Sequence, residues 1–89
     1  MTVGFIFRNG EKRIVGGTEH NYPTNDLSWL KFNTGEIMIQ TKKEDIFCKV
    51  KKKDVFPTIS GAINIGLTLD AEAQLDVISV GDKVFKISN

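Results

Sequence analysis

Residues 29–53 read WLKFNTGEIMIQTKKEDIFCKVKKK, and the turns and alternation within them decide the expected fold. Asn33-Thr34-Gly35 fits a three-residue hairpin loop, with Gly35 supplying the positive φ that closes such a turn. Lys42-Lys43-Glu44-Asp45 fits a charged four-residue hairpin connection. The two loops predict a three-strand antiparallel meander. In it Trp29 lies opposite Ile39, Ile39 opposite Cys48, Ile37 opposite Val50 and Thr41 opposite Ile46. Side chains alternate across a strand with period two, so these residues share one face, and a one-residue slip would scatter them. That face is the expected core.

The reverse face collects Leu30, Phe32, Met38 and Phe47, with Gln40 beside Phe47 and the aliphatic stem of Lys49. Glu36 falls opposite Lys51, a cross-strand charge pair contributing about 0.2–1 kcal/mol. A sheet with one wet face alternates apolar with polar more cleanly than this. Each large apolar side chain gains roughly 1.5–3 kcal/mol by leaving water, so four of them call for a cover. Another segment of the chain would serve, and so would a partner. The interface set read from this face is Leu30, Phe32, Met38 and Phe47, with Lys49 and Lys51 at the rim.

Eighty-nine residues predict one domain with a single modest core. A hydrophobic share of 40% and a charged share of 26% are ordinary for a soluble globular chain. No run of about 20 apolar residues is present to span a membrane, and the N-terminal MTVGFIFRNGEK lacks the features of a signal peptide. One cysteine forms no internal disulfide, which fits a reduced cytoplasmic site. The ten lysines against two arginines fit an AT-rich bacterial or phage genome, and hence a bacterial cell or phage-infected host. The net charge of +1 is uneven: residues 1–53 carry +4 and residues 54–89 carry −3.

Outside the meander, Asn9-Gly10 favours a two-residue type I′ turn within residues 3–15. That turn sets Phe5 opposite Ile14 and Phe7 opposite Lys12, placing Val3, Phe5, Phe7 and Ile14 on one apolar face. Residues 16–28 form a long polar connection, the kind that is often functional, and His20 and Tyr22 are its chemically interesting members. Pro57, without an N–H, ends the basic strand. Ile63, Ile65, Leu67 and Leu69 then alternate with Ala62, Asn64, Gly66 and Thr68, a strand whose other face is solvated or closely approached at Gly66. Residues 70–75 fit either a short helical turn capped by Asp70 or two strand ends around a turn, and the flanking strands favour the second. Gly81-Asp82 predicts a last hairpin, with Ile78 opposite Phe85 and Val77 and Val84 on the other face. The expected fold is therefore all-β: a small antiparallel β-sandwich or partly open β-barrel of seven to eight short strands built from hairpins.

Catalytic equipment is not evident. Cys48 falls on the core face, where a thiol behaves as a small hydrophobe, and nucleophilic catalysis needs a base within hydrogen-bond reach. One Cys and one His lack the ligand number and spacing of a metal site, and Gly16-Gly17 begins no phosphate-binding pattern. No cofactor is implied, and the chain reads as non-enzymatic. Two binding classes compete. A protein partner or a second copy would use the half-apolar reverse face. Single-stranded nucleic acid would use Phe47 among Lys42, Lys43, Lys49, Lys51, Lys52 and Lys53, an aromatic within a cationic strand. Lysines also guard exposed strand edges, and Glu36, Glu44, Asp45 and Asp54 lie near the cluster. The protein-interaction reading leads. A small-molecule cleft lined by Trp29 or Tyr22 is a third class.

Overall fold

The computed structural model describes residues 1–8, 10–17, 27–57 and 63–88. Six strands form one antiparallel sheet: β1 (Val3–Phe7), β2 (Arg13–Gly17), β3 (Gly35–Gln40), β4 (Asp45–Pro57), β5 (Ile63–Leu69) and β6 (Lys83–Ser88). Their order is β1-β2-β5-β4-β3-β6. The sheet curls into a half-barrel, and its two edge strands meet at one corner. There Thr2 bridges Lys83, the N–H of Val3 donates to Asp82 O at 2.8 Å, and that of Val84 donates to Met1 O at 2.7 Å. The all-β antiparallel expectation holds, with six strands in one sheet among the described residues where seven or eight were expected. Among these residues no helix is long and apolar enough to cross a membrane.

The β3–β4 ladder shows why the core face was predictable and its register was not. Thr41 closes the turn one residue early: its hydroxyl accepts from the N–H of Lys43 and Glu44 and donates to Glu44 O at 2.6 Å. Gln40 therefore pairs with Asp45, Ile39 with Ile46 and Ile37 with Cys48. Every pairing differs from expectation by two residues, which preserves the face. Ile37, Ile39, Ile46, Cys48 and Val50 are all buried. Gly35, which enters β3 from the preceding turn, does so at φ 152°, a backbone conformation that L side chains disfavour.

Residues 29–32 are not the first strand of a meander. Leu27–Leu30 form a 3-10 helix, and β6 takes the place beside β3. Phe32, two residues past the helix, turns back beside Trp29 into the barrel, where a strand would have separated them. Both are fully buried, with ring centroids 5.2 Å apart. The ammonium of Lys53 anchors this turn, donating to Leu30 O at 2.6 Å and Trp29 O at 3.3 Å.

Residues 76–80 likewise do not pair with β6. Leu75–Val77 is a 3-10 helix, followed by a turn in which Ser79 N–H donates to the Asp82 carboxylate at 2.8 Å. The segment's backbone groups find partners elsewhere: Arg8 donates to Leu75 O and Ile78 O, and Gly81 N–H to Val3 O. Ile78 and Val84 are both core, and Phe85 is turned outward. Residues 70–75 hold no strand.

The first hairpin differs in face as well as register. An irregularity between Val3 and Phe5 changes the pairing to Phe5↔Val15, Ile6↔Ile14 and Phe7↔Arg13. Val3 and Ile14 stay in the core, while Phe5 and Phe7 face solvent. Residues 8–12 separate the strands in place of a two-residue turn; the side chains of Arg8 and Lys12 donate to carbonyls of residues 71–78, and Lys12 O accepts from Leu69 N–H at 2.8 Å. Of the expected Asn9-Gly10 turn, Asn9 lies outside the described residues. Strand β5 matches expectation, with Ile65, Leu67 and Leu69 buried.

A candidate interface on the outer face of the sheet

Strand β4 lies inside the sheet, between β5 and β3, and runs through all thirteen of its residues past the lysines to Pro57. Its first part pairs with β3 and its second with β5, and the ladder shifts between Val50 and Lys52. The extra residue leaves Lys51 and Lys52 both exposed, although they are adjacent in sequence. The outward side chains along β4 therefore run Phe47, Lys49, Lys51, Lys52, Asp54, Phe56.

At the Phe47 end an apolar row crosses three strands. Met38 pairs with Phe47 on one side and Phe85 on the other. Phe47 is 65% exposed, Phe85 43% exposed and Met38 half-buried. Charged residues border the row on both sides. Glu36 pairs with Lys49, not with Lys51 as expected, and beyond the row Gln40 pairs with both Asp45 and Lys83.

Of the expected interface residues, Met38, Phe47, Lys49 and Lys51 share this outer face. Phe32 does not: it is fully buried. Leu30 is exposed but sits in the 3-10 turn, off the strands. Of the expected nucleic-acid set, Lys49, Lys51 and Lys52 line the face and Lys42 and Lys43 are exposed in the β3–β4 turn, whereas Lys53 is committed to the carbonyls of Trp29 and Leu30. Trp29 is fully buried; His20 and Tyr22 lie outside the described residues.

Sequence reasoning missed four exposed aromatic residues. Phe85 had been assigned across from Ile78. The expected hairpin places Phe5 and Phe7 in the core, and Phe56 precedes the strand-ending Pro57 with no face assigned. The signal for Phe5 and Phe7 was Gly4, a residue at which a strand bulges readily.

Cys48 opens onto a cleft of about 370 Å³ whose rim carries Glu44, Asp45, Asp70 and Glu72. Burial, and secondarily the Asp70 carboxylate, push the thiol up to about 11, so it is protonated at neutral pH. Among the described residues no group of three or more His, Cys, Asp or Glu side chains is placed to hold a metal ion. Comparison with known proteins identifies no relative: no family model, no curated protein and no solved structure matches the chain.

Proposed function

We propose that the protein is a non-enzymatic interaction module that pairs with a second copy of itself through the outer face of β6, β3 and β4. The observation that carries this reading is the in-register row Phe85–Met38–Phe47, whose two rings stand in solvent. Aromatic side chains and methionine are the residues enriched at protein interfaces. On the Gln40 side of the row the charges are self-complementary. A two-fold axis along β3 stacks Phe47 of one copy on Phe85 of the other. The same axis sets Asp45 of one copy against Lys83 of the other, since both pair with Gln40 at opposite edges of the patch. One patch facing itself is the ordinary geometry of a homodimer.

The face is modest. Three strands about 4.8 Å apart and some six residues long give roughly 14 × 20 Å, well short of the roughly 800 Å² per partner of a standard interface. The dimer is therefore a weak one that forms reversibly. A reducing compartment, the cytoplasm of a bacterial or phage-infected cell, suits a chain with one cysteine. The test is a dilution series followed by the Met38 methyl resonance. It should shift with protein concentration, whereas resonances at Val3 and Ile14 should not. A Met38 signal independent of concentration excludes the reading.

A further inference from the structure

The other end of the β4 outer face carries a second and different surface. Phe5 and Phe7 stand side by side on β1, with ring centroids 4.7 Å apart, and Phe56 leans toward them from β4. All three are 41–54% exposed. They border a shallow cleft of about 350 Å³ that Arg13 also lines. Its guanidinium lies 5.9 Å from the Phe7 ring centroid and 3.8 Å from Asp54, and its Nε donates to Thr68 Oγ1 at 3.4 Å. Arg13 is thus held in place beside the rings. From this cleft the exposed ammonium groups of Lys52, Lys51 and Lys49 lead back along β4.

We propose that this surface binds single-stranded nucleic acid, with phosphates along Lys49, Lys51 and Lys52 and bases stacked on Phe56, Phe5 and Phe7 beside Arg13. Three features select this ligand class. Exposed rings next to a row of cations match a polymer that alternates flat π-faces with anions. A duplex keeps its base faces inside its own stack, so only a single strand can offer them. The cations outnumber carboxylates along the outer face of β4, with Arg13, Lys49, Lys51 and Lys52 against Glu36, Asp45 and Asp54, the last lying 3.8 Å from both Arg13 and Lys52. From Lys49 to Phe56 the strand covers roughly 23 Å at ~3.3 Å per residue. That length accommodates about four nucleotides, the lower end of the sites that small barrels occupy. The stacking part of the site uses neither Phe47, Met38 nor Phe85; of its cations, Lys49 borders the self-association face through its pairing with Glu36.

The experiment is fluorescence anisotropy of a labelled eight-nucleotide oligothymidine titrated with the whole chain. Binding is expected at 50 mM salt, weakening roughly 7- to 20-fold by 200 mM as two to three phosphate contacts are screened. Phe7→Ala and Phe56→Ala should each weaken it about 5- to 100-fold while leaving the thermal melt intact. Lys51→Glu with Lys52→Glu should abolish it, and a duplex of equal length should bind at least tenfold more weakly. A Phe56→Trp ring keeps the stacking surface and should be quenched by the oligonucleotide, which reports contact without depending on a loss. The proposal is overturned by no binding at 50 mM salt, by equal affinity for the duplex, or by binding that needs the lysines but ignores all the phenylalanine changes. Phe47→Ser, which removes the ring from the self-association face without adding charge beside Lys49, should leave oligonucleotide affinity within twofold.

Discussion

The ring of Phe56 lies across Gly66, so that a Cβ added to the glycine would stand 2.8 Å from Phe56 Cε2. The two residues belong to adjacent strands, with Phe56 paired to Asn64 and Gly66 to Asp54. The glycine is thus the floor on which the ring rests, and the aromatic cleft exists because that position lacks a side chain.

Gly66→Ala is the mildest way to disturb the cleft. The methyl group meets the far end of a flexible side chain, so the ring swings aside and the strand stays. An alanine also loses less chain entropy on folding than a glycine, by about 0.5–1 kcal/mol. Stability should therefore change by less than about 1 kcal/mol in either direction, whereas oligonucleotide affinity falls several-fold. Chemical denaturation and anisotropy on the same sample check both halves. A large loss of stability would show that the ring is fixed and not merely resting.

Lys53 holds the turn that carries Trp29. Its ammonium supplies hydrogen bonds to two carbonyls at the end of a 3-10 helix. Lys53→Met keeps the stem and removes the donors, and should cost about 1–3 kcal/mol in urea unfolding. The single tryptophan of the chain sits in that turn, so its emission should move to longer wavelength if the turn loosens. Lys51→Met, at an exposed outer position, should stay within about 0.5 kcal/mol of wild type.

Cys48 should be a poor nucleophile until the chain unfolds. Its thiol titrates near 11 in the fold against an ordinary value of 9.0. Iodoacetamide labelling of native protein should follow that higher midpoint, and labelling in denaturant the lower one. Linkage sets the sign for stability. Between pH 9 and 11 the folded state keeps a proton that the unfolded state has lost, so stability is full below pH 9 and declines as pH rises through 11. Cys48→Ala should remove that part of the slope, read as the difference between the two stability–pH curves. Parallel curves across this range would show that the thiol is not shielded.

Much of this molecule was legible where only parity mattered. The β3–β4 pairing was offset by two residues, and the core face was still right, because a shift of two returns each side chain to its own side. The β1–β2 pairing was offset by one, and Phe5 and Phe7 moved from core to solvent. The offset enters at the irregularity between Val3 and Phe5, around Gly4, and is accompanied by side-chain bonds from Arg8 and Lys12 to carbonyls about sixty or more positions away, which local turn propensity does not contain. The two false strands share a cause. Trp29 with Phe32, and Leu75 with Ile78, carry apolar residues three apart, a spacing that a helical turn and the chain leaving it gather to one side and a strand does not. Short apolar segments are ambiguous between strand and helical turn, and tertiary contacts chose the turn. Of the candidate interface, the part on β3 and β4 was readable. Phe85 was not, because its neighbour Met38 is brought to it by a pairing of strands far apart in the chain.

The paired-copy claim meets its most direct test in the solution mass. Light scattering coupled to size exclusion, run from about 5 to 500 μM, should give a mass that rises from near 9.9 kDa toward twice that value. Phe47→Asp alters a side chain that is 65% exposed, so it should fold as wild type and remain monomeric throughout. A wild-type chain that stays monomeric at the highest concentration, or a Phe47→Asp variant that dimerises equally well, would contradict the assignment of this face.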